Sequence, residues 1–292
     1  MAGGTVKYKN FVNKNYHFLF FVLPSAAGIL VFLIIPLLDV VKRSFFGGIS
    51  SDFVGLDNYS AVFANDAFRL AVKNTLLFDA ISLPLLLMIS LCMAYIVSNM
   101  KSKLIRFAFL APMAIPSNSV VTVWKMLFDD AGIINGIRVM LELEPVSFLT
   151  GQNSLYLLIG TYLWKNMGYD MLIWLTVLEA VPKDIYEAAR VDGAGSIRLF
   201  FNMTLPNIRG GAYTVTVLSF VNSFKVFREI YLLAGNYPDN SVYMLQHLFN
   251  NWFSKLDISK LSAAACLTAI FLFAVLGLIR LILLPHGKED AR

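Results

Sequence analysis

Charge is scarce in this chain. Of 292 residues only 15% are Asp, Glu, Lys or Arg, against 58% hydrophobic, and mean hydropathy is +0.66. A soluble domain carries about 25% charged residues, so the composition excludes that class and leaves an integral membrane protein. Cysteine is nearly missing: Cys92 and Cys266 each lie in an apolar run, which excludes a disulfide framework and predicts two small buried hydrophobes. Histidine is as thin. His17, His247 and His286 are scattered and no His-Glu-x-x-His occurs, so an intramembrane zinc enzyme has no ligand set and no metal is expected. No Gly-x-x-x-x-Gly-Lys-Ser/Thr phosphate loop is present either, without which the chain has no means to cradle ATP itself. Nor does the N-terminal run read as a cleaved signal: only Phe18 to Leu23 precede Pro24-Ser25-Ala26-Ala27, and the run continues to Leu38.

What is present is long apolar stretches. Crossing the hydrocarbon takes about 20 apolar residues, and six runs reach that length: roughly 18–38, 75–97, 105–128, 155–178, 211–234 and 261–284. The predicted fold is all-α, a six-helix transmembrane bundle at 18–284 between tails 1–17 and 285–292. Pro24, Pro36, Pro84, Pro112 and Pro116 sit within the runs, and each is expected to kink its helix. The net charge of +5 does not call for nucleic acid, since Lys and Arg collect at the cytoplasmic ends of spans. Lys7, Lys9 and Lys14, then Lys101, Lys103 and Arg106, then Arg280, Lys288 and Arg292 all fall on one side of a six-span chain. That side is the cytoplasm, with both termini and 179–210. Asp52, Asp57, Asp66, Asp129, Asp130, Glu142, Glu144 and Asp239 fall on the other.

Two spans carry polar groups at mid-depth. The fourth contains Trp164-Lys165-Asn166-Met167-Gly168-Tyr169-Asp170, and the fifth contains Thr216, Ser219, Asn222, Ser223 and Lys225. Charges at that depth are costly, so they face a cavity or a partner. Ser219, Asn222 and Ser223 recur at i, i+3, i+4 and form one polar stripe. Hydrogen-bonding side chains beside aromatic ones suit a sugar; the plain alternative is hydrogen bonds that hold helices together. The candidate substrate-binding residues are Trp164, Asn166, Gly168, Asp170, Ser219, Asn222, Ser223 and Lys225. Lys225 either pairs with Asp170 or faces the cavity. Arg228 and Glu229 are placed nearer the outer surface, without a substrate role.

Between these spans lies the one long polar segment that reads as two short helices. Lys183, Glu187 and Arg190 stack on one side of the first, with Ile185, Ala188 and Ala189 on another. Asp192-Gly193 should end it in a left-handed turn. Ser196 can cap a second helix with Ile197, Phe200 and Phe201 on its apolar face, and Leu205-Pro206 should stop it. Glu187-Ala188-Ala189-Arg190, then Asp192-Gly193-Ala194, Phe200 and Leu205-Pro206 closely resemble the EAA loop of permease subunits of bacterial ABC importers. Gly210 stands where a second proline often follows in that family. Gly55-Leu56-Asp57-Asn58-Tyr59 is similar to an early motif of its sugar permeases, and Ser219-Phe220 through Leu232-Leu233 resembles the fifth span of the maltose type.

This resemblance implies a type I ABC importer permease fold in the bacterial cytoplasmic membrane, with the loop as its ATPase-coupling element. It implies half of a translocation pathway for a sugar or oligosaccharide, with Ser219 and Ser223 among the sugar contacts. It implies a second, similar permease subunit as heterodimer partner, two ATPase subunits that bind ATP and Mg, and an extracytoplasmic solute-binding protein landing on 129–153 and 235–259. The chain itself is expected to be no enzyme, with no cofactor of its own. The alternative, a self-sufficient secondary transporter or channel, leaves the cytoplasmic loop without a purpose.

Overall fold

Each apolar run becomes helix, but the prolines decide how straight it is. The structure is a computed structural model that describes residues 21–48, 52–98, 100 and 103–284. The expected tails, the first residues of the expected first span and Lys101 lie outside the described residues. Helix α1 is Phe21–Ser44; α2 (Asp57–Ala64) follows, then α3 (Asp66–Ser98), α4 (Lys103–Ala114), α5 (Ser117–Phe128), α6 (Ile133–Met140) and α7 (Gly151–Glu179). Helices α8 (Lys183–Val191), α9 (Ser196–Leu199) and α10 (Leu205–Asn207) form the polar segment. The rest is α11 (Arg209–Ser223), α12 (Phe227–Ala234), α13 (Leu245–Ser254) and α14 (Ile258–Leu283). No strand occurs among the described residues.

By length and apolarity alone, α1, α3 and α14 are long enough to cross a membrane. The expected third span is not one rod. Pro116 takes an extended conformation (ψ 141°) as the residue before α5, and the chain bends by 89° there. Pro84 by contrast sits inside the unbroken α3. The expected fourth span is the 29-residue α7, long enough but less apolar, and the expected fifth is divided. Its α11 ends at Ser223, a tight 3-10 turn covers Phe224–Val226, and α12 carries on from Phe227. Both cysteines are free; Cys92 is exposed and Cys266 half-buried, so the expectation of two buried hydrophobes fails for Cys92, which the α3 spiral turns outward.

The described residues divide into two compact units, those within 1–64 and 252–270 and those within 65–251 and 271–292. In the first, the Gly55–Tyr59 motif closes the end of α1. Asn58 Nδ2 donates to the carbonyls of Ser44 (2.9 Å) and Phe46 (3.0 Å), and the Tyr59 and Ser44 hydroxyls share a hydrogen bond at 2.7 Å. The second unit has two apolar clusters strung along α7. One gathers Phe78, Leu158, Tyr162, Val226 and Ile230; the other gathers Ala94, Met171, Trp174, Leu178 and Ile208, with Ile185 and Tyr186 of α8 packed against it. The connection after α12 is tied down over the first cluster. Asn74 donates to the carbonyls of Asn240 (2.6 Å) and Tyr243 (2.9 Å), and the Met244 N–H donates to His247 Nδ1 at 3.2 Å. Burial pushes the His247 imidazole down to about 4, which keeps it neutral between its Phe227 and Tyr243 neighbours. The hydroxyl and N–H of Ser241 hold the Asp239 carboxyl below its ordinary range.

Helix α4 comes against α7 at Gly168, where an added Cβ would land on the Phe109 carbonyl. The glycine is therefore a packing residue, as small residues are between membrane helices. Gly168→Ala has to push two backbones apart, a change that costs about 1–3 kcal/mol when a tight site is overfilled. The expected result is a lower thermal unfolding midpoint for the detergent-purified subunit; an unchanged midpoint would show that the α4–α7 approach is not close.

Candidate functional site

Lys165 is the central residue of α7, roughly 21 Å from either end at about 1.5 Å per residue. A charge so placed needs a partner. Its Nζ donates to Glu229 Oε1 of α12 at 2.7 Å, and Ser117 Oγ, on the first residue of α5, donates to the same oxygen at 2.9 Å. The two ionic side chains are 15% and 7% exposed. Glu229 is thus buried and bridged, not placed toward the outer surface as its position in the sequence suggests.

Beside this pair opens a cavity of about 230 Å³. Helix α7 lines it with Thr161, Tyr162, Lys165 and Asn166, and the divided span lines it with Asn222, Lys225, Val226, Arg228 and Glu229. The spacing explains the choice. Residues 161, 162, 165 and 166 follow i, i+1, i+4, i+5, and 222, 225, 226 and 229 follow i, i+3, i+4, i+7, each one face of a helix. The 3-10 turn brings Arg228 to the same wall.

Of the residues expected to bind substrate, Asn166, Asn222 and Lys225 line the cavity. The others do not. Ser219 and Ser223 are 1% and 2% exposed, one helical turn apart on the adjoining side of α11, turned to the core. Asp170, also 1% exposed, accepts a hydrogen bond from Ser219 Oγ at 2.5 Å. Lys225 does not pair with it; its Nζ donates to Asn222 Oδ1 at 2.7 Å. Gly168 packs on α4, and Trp164 is 40% exposed outside the cavity. The expected stripe Ser219–Asn222–Ser223 is therefore two faces, one structural and one open. Lys165 and Ser117 were not among the expected binding residues, and Arg228 and Glu229 were given no substrate role, yet all four line the cavity. The signal for Lys165 and Glu229 was charge of opposite sign at equal depth in neighbouring apolar helices.

From Glu179 the chain turns through Pro182 into α8. The helix ends as expected: Gly193 has φ +79°, its N–H donates to the Arg190 carbonyl at 3.0 Å, and the Ala194 N–H donates to that of Ala189 at 3.0 Å. This pair of bonds is the Schellman arrangement. Ser196 is not the cap; Gly195 holds that place and Ser196 opens α9. Leu205-Pro206 does not stop the second helix either. A π turn at Phe200–Thr204, with the Leu205 N–H donating to the Phe200 carbonyl, absorbs the proline's missing donor, and the chain breaks later, at Ile208.

The loop is fixed to the bundle and bare on its outside. Tyr186 Oη donates to Thr204 Oγ1 at 3.2 Å, the Tyr95 and Phe200 rings lie edge to face at 5.6 Å, and Ala189 and Leu199 are buried. Glu187, Ala188, Arg190 and Asp192 are exposed. Ile197 and Phe201, expected on a packed face, are 78% and 59% exposed, close in sequence to Val191 at 88%. Of the expected face only Phe200 packs, against Tyr95, and Leu199 is buried in place of Ile197 and Phe201.

Removing one partner of a buried ion pair strands the other, at a cost of roughly 3–5 kcal/mol. Lys165→Met is therefore expected to lower the unfolding midpoint of the purified subunit sharply, and Lys165→Met with Glu229→Gln to recover most of the loss. Equal midpoints for the wild type and Lys165→Met would contradict the pairing.

The sequence and fold match known proteins over most of the chain. The chain is 30% identical to the sn-glycerol-3-phosphate transport system permease protein UgpA of Yersinia pestis bv. Antiqua over 236 residues, 79% of each chain. It is 28% identical to the trehalose/maltose transport system permease protein MalF of Thermococcus litoralis over 261 residues, 87% of this chain and 88% of that one. In fold it is similar to a chain of a bacterial ABC transporter involved in the import of the acidic polysaccharide alginate. The TM-score is 0.81 at 20% identity, covering 97% of this chain and 100% of the other. Residues 86–286, more than half of the chain, match the model of the binding-protein-dependent transport system inner membrane components, and the chain belongs to that family.

Proposed function

We propose that this subunit forms one half of the pathway of an ATP-driven sugar importer, with the 161–166 and 222–229 cavity as its wall of the substrate site. The observation that carries the reading is continuity: α7 is a single helix from the cavity at Lys165 to Glu179, three residues before the Pro182 that leads into α8. A displacement of the α8–α10 loop reaches the cavity along a rigid rod, with no hinge between. Relatives in the family serve trehalose/maltose and sn-glycerol-3-phosphate systems, which supports a saccharide or a related polyol as cargo.

The loop presents Glu187, Ala188, Arg190 and Asp192, with Val191, Ile197 and Phe201 bare beside them, as the surface for an ATPase subunit. ATP and Mg belong to that partner, two copies of which act on the assembly. A closing ATPase pair moves the docked loops and switches access to the cavity, because the loop binds the two ATPase states differently. A second, similar permease supplies the other wall. The cavity of about 230 Å³ is smaller than the roughly 300–1,000 Å³ of complete ligand sites, as one wall should be. The Lys and Arg distribution supports both termini and the loop on the cytoplasmic side. The connections 129–153 and 235–259 then face the solute-binding protein, and a solved alginate importer is known in complex with a pentasaccharide-bound periplasmic protein.

The test is Gly193. An added Cβ there meets no atom within 4 Å, so only the left-handed φ of +79° resists substitution, by about 1–2 kcal/mol for an ordinary residue. In the assembled transporter Gly193→Val is expected to abolish uptake while the subunit still inserts, and Gly193→Asn, tolerated in that conformation, to retain most of it. Wild-type uptake by well-expressed Gly193→Val would remove the coupling role from this loop.

A further inference from the structure

We propose that the saccharide this subunit passes carries an anionic group, a carboxylate, sulfonate or phosphate, held by Lys225 and Arg228. The inference rests on the reading of the cavity as substrate wall and names its class of cargo. The cavity is lined by three cations, Lys165, Lys225 and Arg228, and one carboxylate, Glu229. Glu229 is taken by Lys165 at 2.7 Å. Three positive charges less one negative leave a net +2 on the wall. Lys225 has only the neutral Asn222 Oδ1 at 2.7 Å, and neither it nor Arg228 has a carboxylate within 4.0 Å among the described residues.

The nearest buried acids do not offset this charge at the wall. Asp170 turns to Ser219 and Asp79 to Ser223, both in the core and absent from the cavity lining. Two cations three residues apart repel each other; both are exposed on the cavity wall, where an anion in the cavity relieves that repulsion. An ammonium and a planar guanidinium together suit an oxyanion, the first as a point charge and the second as a two-pronged donor. The amides of Asn166 and Asn222 remain for hydroxyl groups. The one rival source of that anion is a carboxylate from the second permease, which would make both cations assembly contacts.

The assembled complex with its binding protein, reconstituted in vesicles, separates these outcomes. Uptake is measured for a neutral disaccharide, a uronate disaccharide, a sulfonated glycoside and a phosphorylated glycoside, in the wild type and in Lys225→Gln/Arg228→Gln. Wild-type uptake of an acidic member identifies the anion, and the double variant is expected to lower that rate about tenfold or more while still co-purifying with its partners. Wild-type uptake confined to the neutral sugar, or an unchanged acidic-sugar rate in the double variant, overturns the proposal and leaves the importer reading standing. Failure of the double variant to co-purify also overturns it and assigns the cations to the subunit interface. Uptake of no saccharide at all removes the importer reading first.

Discussion

The hydrogen-bonded pair of Lys165 and Glu229 is the constraint on which the rest of the second unit depends. A mid-helix ammonium in a membrane protein has to be neutralised by something at its own depth. Glu229 meets it at 2.7 Å, with Ser117 on the same oxygen. One contact thereby sets three elements: the middle of α7, the start of α5 after the Pro116 bend, and α12 beyond the 3-10 turn. The two apolar clusters lie on either side of this polar step, and the cavity is the space the step leaves. Without the pair, α12 would lose its ionic tie to α7, and of the divided span α11 would stay bonded to it, through Ser219 and Asp170.

The same helix joins the cavity to the loop. Nothing in α7 between Lys165 and Glu179 is proline, and the close approach at Gly168 clamps α4 onto this length. Beyond Pro182 the Schellman bonds at Gly193 and the Tyr186–Thr204 bond make the loop a shaped body and not a flexible tether. Its outward residues Glu187, Ala188, Arg190, Asp192, Val191, Ile197 and Phe201 stand exposed among the described residues. An importer permease needs this combination, a stiff connection with a bare end.

Much of this was legible in the sequence because the signals were local. The end of α8 at Asp192-Gly193 follows from glycine's access to positive φ, and six apolar runs marked the helices. The loop's later half was misread because a proline was taken as a stop. A π turn can absorb the missing donor, and nothing in Phe200–Thr204 alone announces one. The site was half legible. Polarity at mid-depth picked out Asn166, Asn222 and Lys225 together with Ser219, Ser223 and Asp170, but polarity does not say which face is open. Ser219 and Ser223 are small enough to keep their hydroxyls in the core, donating to the Asp170 carboxylate and the Phe220 carbonyl, whereas Lys225 is too long and too charged to be buried there. The pairing of Glu229 with Lys165 was not legible because the two lie 64 residues apart on different helices.

Import through this subunit requires that the wall built from 161–166 and 222–229 face the pathway. A cryo-electron microscopy map of the complete assembly, engaged with its saccharide-loaded binding protein, tests it most directly. The expected result is saccharide density within about 3 Å of the Asn166, Asn222 and Lys225 side chains, with the second permease closing the opposite wall. Lipid acyl chains covering that face, with saccharide density elsewhere, would contradict it.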